Sequence, residues 1–171
     1  RLDDSSNVTV DMEKPILEPA ALPFHAEAMQ SSYRRTLTLA GTVTTIEFGV
    51  VSMGNPHAVI IVGDLDKTAV KDVGEALQQH PDFPESVNVG FMQILSRDHI
   101  RLRVYERGAG ETMACGTGAC AAAAAAHLLE LANRNIDVKL DGGTLNVNWL
   151  ENGDIVMSGP TAISYQGYWE F

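Results

Sequence analysis

Cys115 stands inside the stretch "ERGAGETMACGTGACAAAAAAH", residues 106–127, with Gly116, Thr117 and Gly118 directly after it and an alanine run beyond. A thiol in that place suits acid–base or nucleophilic work. The glycines leave bare backbone N–H groups at a helix start, where four donors lack intrahelical partners. Such a start lowers a thiol pKa and attracts carboxylates, and glycine lets a ligand approach the backbone. A small buried hydrophobe is the other use of a cysteine, but a packing residue has no use for donor-rich glycines. Cys120, one turn inside the alanine helix, reads the opposite way, as core.

Glu106 and Arg107 follow a strand and by default are a solvated strand end. Beside a thiol they gain purpose: the carboxylate can take a proton or hold an ammonium group, and the guanidinium can clamp a carboxylate bidentately. Asn55 and His57 lie in "MGNPH", which local sequence leaves open as an ordinary Asn-Pro turn with a satisfied histidine. Asn88, in "VNVGF", could mark no more than a strand edge. His25, His80, His99 and His127 have no supporting neighbours and are read as structural or surface residues.

Two other chemistries fail on spacing. "GTGACA" fits the dinucleotide pattern G-x-G-x-x-A, but that fingerprint needs a strand ending at its first glycine within a βαβ unit. The nearest predicted strand, "RLRVYE", ends about ten residues earlier and belongs to antiparallel surroundings. The Gly-Lys-Ser/Thr of a phosphate-binding loop is missing. No CxxC or Cys/His cluster offers a metal site, and two cysteines are too few for a disulfide scaffold. A reducing compartment is the natural expectation.

With 171 residues, 45% of them hydrophobic and 20% charged, the chain can form one domain or one large lobe with a real core. Twelve basic against 22 acidic residues give a formal charge of −10, which argues against a nucleic-acid backbone or an anionic membrane as partner. Small substrates are untouched by that argument. No apolar run approaches the ~18 residues needed to span a bilayer, and no signal peptide is recognisable. The chain begins with Arg1 and not methionine, so a segment before it is allowed for.

The elements that must position these residues are mostly strands. "NVTVDMEKP" predicts a short strand followed by a Pro-punctuated connector that ends near Pro23. Residues 34–62 are strand-rich, with Leu37, Leu39, Val43 and Ile46 alternating and two near-continuous apolar runs around "MGNPH". Val70, Val73 and Leu77 at helical spacing predict a helix over residues 68–80, stopped by Pro81. "VNVGFMQIL" and "HIRLRVYE" are strands joined at "SRD". A second helix is predicted from about residue 118 to 132, apolar nearly all round and therefore surrounded by other structure. "IDVKL", "TLNVNWL" and "DIVMSG" alternate around the hairpin turns "DGG" and "ENGD", and "GYWEF" reads as a last strand. The expected class is α+β: a mixed, mostly antiparallel sheet curled around a central Ala-rich helix. A doubly wound parallel sheet is excluded, because the strands arrive in hairpins without helices between them.

Taken together, "MGNPHAV", "HPDFPESVNVGF", "VYERGAGETMACGTGACA" and "SGPTAISYQGYWEF" resemble diaminopimelate epimerase, a PLP-independent family of lysine and cell-wall precursor synthesis, from about Val8 to Phe171. Members have two similar lobes, each with one catalytic cysteine, and the resemblance covers only the second. It implies residues 16–160 as the C-terminal catalytic lobe, with residues 1–15 and 161–171 as strands completing a first lobe absent from this sequence. It implies interconversion of LL- and meso-diaminopimelate by two thiols on opposite faces of the α-carbon, with no cofactor and no metal. Cys115 would be one thiol, Glu106 would partner it and the substrate amino group, and His57 would tune the missing cysteine. The N–H groups of Gly116 and Thr117 would hold the carboxylate at the reacting centre. Asn55, Asn88 and Arg107 would grip the far end of the substrate. The expected partners are a small-molecule substrate and the first lobe, with a homodimer as an option because members often pair, and with neither nucleic acid nor membrane. A cytoplasmic location is implied, or the stroma of a plastid in a plant. Alone, the chain is expected to be inactive. A proline- or hydroxyproline-type racemase and a non-catalytic anion-binding lobe are the alternatives.

Overall fold

The computed structural model describes residues 7–162 and 167–169. Along the chain run β1 (Asn7–Asp11), β2 (Tyr33–Leu39), β3 (Thr42–Ser52), β4 (Pro56–Ile61), α1 (Val70–Gln78), β5 (Asn88–Ser96), β6 (His99–Glu106), β7 (Gly110–Thr112), α2 (Gly116–Leu128), β8 (Asn135–Leu140), β9 (Gly143–Trp149) and β10 (Ile155–Pro160). They build one sheet in the order β1-β10-β9-β8-β6-β5-β4-β3-β2, with β7 attached to β6. Only the β4–β5 and β6–β8 pairs are parallel. Helix α2 touches strands from β3 round to β10, so the sheet curls about it, as the apolar character of its whole circumference requires.

Period-two alternation explains why the central strands read as continuous apolar runs. Val51, Val59, Met92, Leu102 and Val104 turn inward to α2. Their neighbours Val50, Ala58, Ile60, Val89, Phe91 and Tyr105 turn outward into a second core, closed by α1 and the aromatic rings of Phe24, Tyr33, Phe48 and Phe83. Both faces of these strands are therefore dry. The inward face can come close to α2 because its core positions are Ala119 and Ala121 to Ala126, all buried. Alanine combines the strongest helix propensity with the smallest side chain that still packs.

Helix α2 is shifted from its predicted span. It begins at Gly116 because Cys115 serves as N-cap, in an extended conformation with Sγ accepting the Gly118 N–H at 3.4 Å. It stops at Leu128 in a Schellman arrangement: Glu130 takes φ 60°, its N–H bonds His127 O at 2.9 Å, and Leu131 N–H bonds Ala126 O at 2.9 Å. Glycine usually occupies that left-handed position, and its absence hid the stop. Strand β7 was also hidden, inside a stretch whose glycines read as loop.

Strand β1 joins the sheet edge through β10, with Asn7 opposite Pro160. The predicted connector runs on past Pro23 to β2, tied down by a bridge between Ile16 and Ser52. Of the predicted last strand, Gly167 to Trp169 have no regular secondary structure, while Glu170 and Phe171 lie outside the described residues, as do residues 1–6 and 163–166. Among the described residues no helix is long and apolar enough to cross a membrane.

Candidate active site

One end of the curled sheet collects the residues singled out above. Parallel pairing places His57 of β4 opposite Asn88 of β5. Antiparallel pairing of β5 with β6 returns Glu106 to the same end. His57, Asn88 and Glu106 share inward parity with Val59, Met92 and Val104, and the N-terminus of α2 lies against that end. Asn55 precedes β4 in the turn at residues 53–55, where Gly54 takes φ +87° and Met53 N–H bonds Asn55 O.

A chain of polar contacts links the β3–β4 turn to the thiol. Nε2 of His57 is 3.1 Å from Asn55 Oδ1 and 3.1 Å from Thr117 Oγ1, which is 3.5 Å from Cys115 Sγ. His57 has no solvent exposure. Burial first, and then the charge of Arg107, push its pKa down to about 4, so the ring is neutral near pH 7. Asn55 offers an acceptor to Nε2, so the ring hydrogen sits there. Nδ1 is left as a buried acceptor without a partner among the described residues. Thr117 then accepts from His57 and is free to donate to sulfur.

Cys115 is buried, and its pKa lies above the usual thiol value. Burial is the main cause; donation by Thr117 and Gly118 pulls the other way, and the Glu106 carboxylate beside it pushes further up. The expected lowering by a helix start is therefore present but outweighed, because the thiol is drier than its glycine-rich surroundings suggest. The N–H groups of Gly116 and Thr117 have no acceptor among the described residues and remain open donors. Cys120 is fully buried, with its pKa raised to about 12 by burial and then by Cys115.

Glu106 accepts a hydrogen bond from the Thr112 hydroxyl, brought across by the β6–β7 hairpin in which Glu106 faces Gly110. Sequence offered no signal for Thr112, since its nearness depends on that hairpin. Asn88 is buried and acts as a tie: Nδ2 donates to Pro56 O at 3.1 Å and Oδ1 accepts the Arg107 N–H at 2.9 Å. The exposed Arg107 guanidinium is steadied by donation to Glu85 O at 2.8 Å. All of the singled-out residues thus meet at one end. His80, His99 and His127 make local contacts with Asp82, Ser96 and Ala132 instead.

The arrangement can move a proton at a buried thiol, hold an anion on two backbone donors, and present a carboxylate and a guanidinium to the same ligand. A family model for diaminopimelate epimerase matches residues 49–163. A diaminopimelate epimerase from Alkalilimnicola ehrlichii is 49% identical over 168 residues, covering 98% of this chain and 59% of its own. The chain therefore spans about three fifths of the length of that curated relative. Among solved structures, a hydroxyproline epimerase from Agrobacterium vitis with bound trans-4-hydroxy-L-proline matches with TM-score 0.60 and 17% identity, over 91% of this chain and 50% of the other. A predicted epimerase from Pseudomonas aeruginosa matches with TM-score 0.54 and 20% identity, over 90% of this chain and 55% of the other. At such identities the likeness is one of fold.

Proposed function

This chain belongs to the diaminopimelate epimerase family, and we propose that it is a lobe of such an enzyme, supplying one of two thiols that interconvert LL- and meso-diaminopimelate. The observation that carries this is the placement of Cys115 as N-cap of α2, directly before the N–H groups of Gly116 and Thr117 and with the Glu106 carboxylate beside its sulfur.

An amino-acid α-proton is weakly acidic, and its removal leaves negative charge that spreads onto the adjacent carboxylate. Donors fixed before the reaction stabilise that charge without reorganising. Gly116 and Thr117 fill this role. One thiolate takes the α-proton from one face, a thiol returns a proton from the other, and the carbon inverts with no net change in protons. A raised pKa suits Cys115 to the protonated resting state, in which it is the donor. Cys120 cannot be the second group, because it is fully buried in the same helix. The second thiol comes from the part of the enzyme this chain does not span. In this reading residues 16–160 are the lobe, and β1 extends its sheet through β10.

Glu106 holds the substrate ammonium and partners Cys115, while His57 supports the thiol site through Thr117 as well as serving the opposite thiol. Asn55, Asn88 and Arg107 receive the distal amino-acid group. Arg107 is well suited to a carboxylate, since its guanidinium is both exposed and anchored. The reaction needs no cofactor in this scheme, and the partners are the small-molecule substrate and the first lobe.

The test is α-proton exchange of LL-diaminopimelate in heavy water, followed by proton NMR. The chain alone should show no exchange. Joined to the segment of the Alkalilimnicola relative that it does not span, it should show exchange that Cys115→Ala abolishes. Exchange by the chain alone, exchange indifferent to Cys115→Ala, or exchange of hydroxyproline in place of diaminopimelate would overturn the proposal.

A further inference from the structure

Asn88 and Glu106 lie just beyond the last ladder pair of β5 and β6, Val89 opposite Tyr105. The ladder between β5 and β6 therefore stops one residue short of both side chains, which pair only with their other neighbours β4 and β7, and side-chain contacts can set how far apart they stand. We propose that Gln78 is a positioning residue of the site, holding from α1 the two peptide groups that directly precede Asn88 and Glu106. Its Nε2 donates to Val87 O at 3.0 Å and, more weakly, to Tyr105 O at 3.5 Å.

The rest of α1 is built to keep Gln78 there. Lys71, Gly74, Glu75 and Gln78 fall at i, i+3, i+4 and i+7, one face of the helix. Gly74 is seated on the Tyr105 ring so closely that a Cβ would come 2.6 Å from Cγ, which leaves no room for any other residue. Glu75 accepts the Tyr105 hydroxyl at 2.9 Å and is itself held by Lys71 at 2.7 Å. Tyr105 is thus gripped at ring, hydroxyl and carbonyl, and the next residue is Glu106. Asn88 completes the frame through Arg107 N–H and Pro56 O.

This inference rests on Asn88 and Glu106 being site residues, but its test needs neither substrate nor turnover. The readout is the pH profile of Cys115 alkylation by iodoacetamide, measured on this chain in a Cys120→Ala background. The groups facing the thiol are Glu106 from β6, His57 from β4 through Thr117, and Cys120, which the background removes. Because Glu106 raises the thiol pKa, Gln78→Met should move the profile to lower pH, toward that of Glu106→Gln. Alkylation at pH 7.5 should then rise about threefold. Combined with Glu106→Gln, the Gln78→Met change should add nothing. An unmoved profile in folded Gln78→Met, or an equal shift with and without Glu106, would overturn the proposal. Gln78→Leu serves if the methionine variant does not fold, as judged by its denaturation midpoint. Loss of the diaminopimelate reading would leave this profile interpretable, so the two failures are separable.

Discussion

The Thr117 hydroxyl lies 3.1 Å from Nε2 of His57, and so joins a histidine on β4 to the start of α2. The same oxygen is 3.5 Å from Cys115 Sγ, and its donation favours the thiolate. The Thr117 hydroxyl is therefore shared between the histidine and the sulfur.

Thr117→Val keeps the shape and removes the hydroxyl. The thiol pKa should rise further, and alkylation of Cys115 at pH 8 should fall by about fivefold, the effect of one hydrogen bond worth ~1 kcal/mol. Thr117→Ser should restore the rate. An unchanged rate in the valine variant would show that the hydroxyl does not reach the sulfur in solution.

Glu106→Gln removes a carboxylate that pushes the thiol pKa up. Cys115 alkylation should become faster at neutral pH, while α-proton exchange by the joined protein described above should fall by a factor of a hundred or so, the scale of a lost acid–base group. A simultaneous rise in both would remove Glu106 from the mechanism.

His57 makes stability depend on pH. Unfolded, it titrates near 6.5; folded, it is pushed to about 4. Between these values the unfolded chain binds the extra proton, so the stability is fully present above pH 6.5 and is lost as pH falls toward 4. The difference corresponds to ~3 kcal/mol. Urea unfolding at pH 7 and pH 4.5 should show a smaller loss in His57→Gln than in the parent chain. Equal losses would mean that His57 protonates freely in the folded state.

Glu130 holds the left-handed position that ends α2, at φ 60°, with its side chain exposed. Glu130→Gly should raise stability by ~0.5–1 kcal/mol, because glycine adopts that conformation without a Cβ penalty. Urea unfolding measures it, and a loss of stability would mean that the glutamate side chain has a role the fold does not reveal.

Much of this molecule was legible before folding. The strand pairs around "SRD", "DGG" and "ENGD", the helix carrying Val70 and Leu77, and the buried alanine helix all follow from periodicity and turn residues. The differing fates of Cys115 and Cys120 were legible too, since only one stands at the glycine-rich helix start. The helix limits were less so: a cysteine cap and a left-handed glutamate are uncommon signals, and local sequence rules weigh common ones.

By itself, the sequence determined which side chains could do chemistry and, through period-two parity, which face of each strand they would occupy. It could not determine that the starts of β4 and β5, the end of β6 and the start of α2 meet at one end of the sheet. Strand order and direction decided that, through pairings far apart along the chain. Those pairings also set how dry the site is, and burial outweighs the helix start in raising the Cys115 pKa. Desolvation is a sum over everything packed around a group, so only the tertiary structure could decide its sign for this thiol.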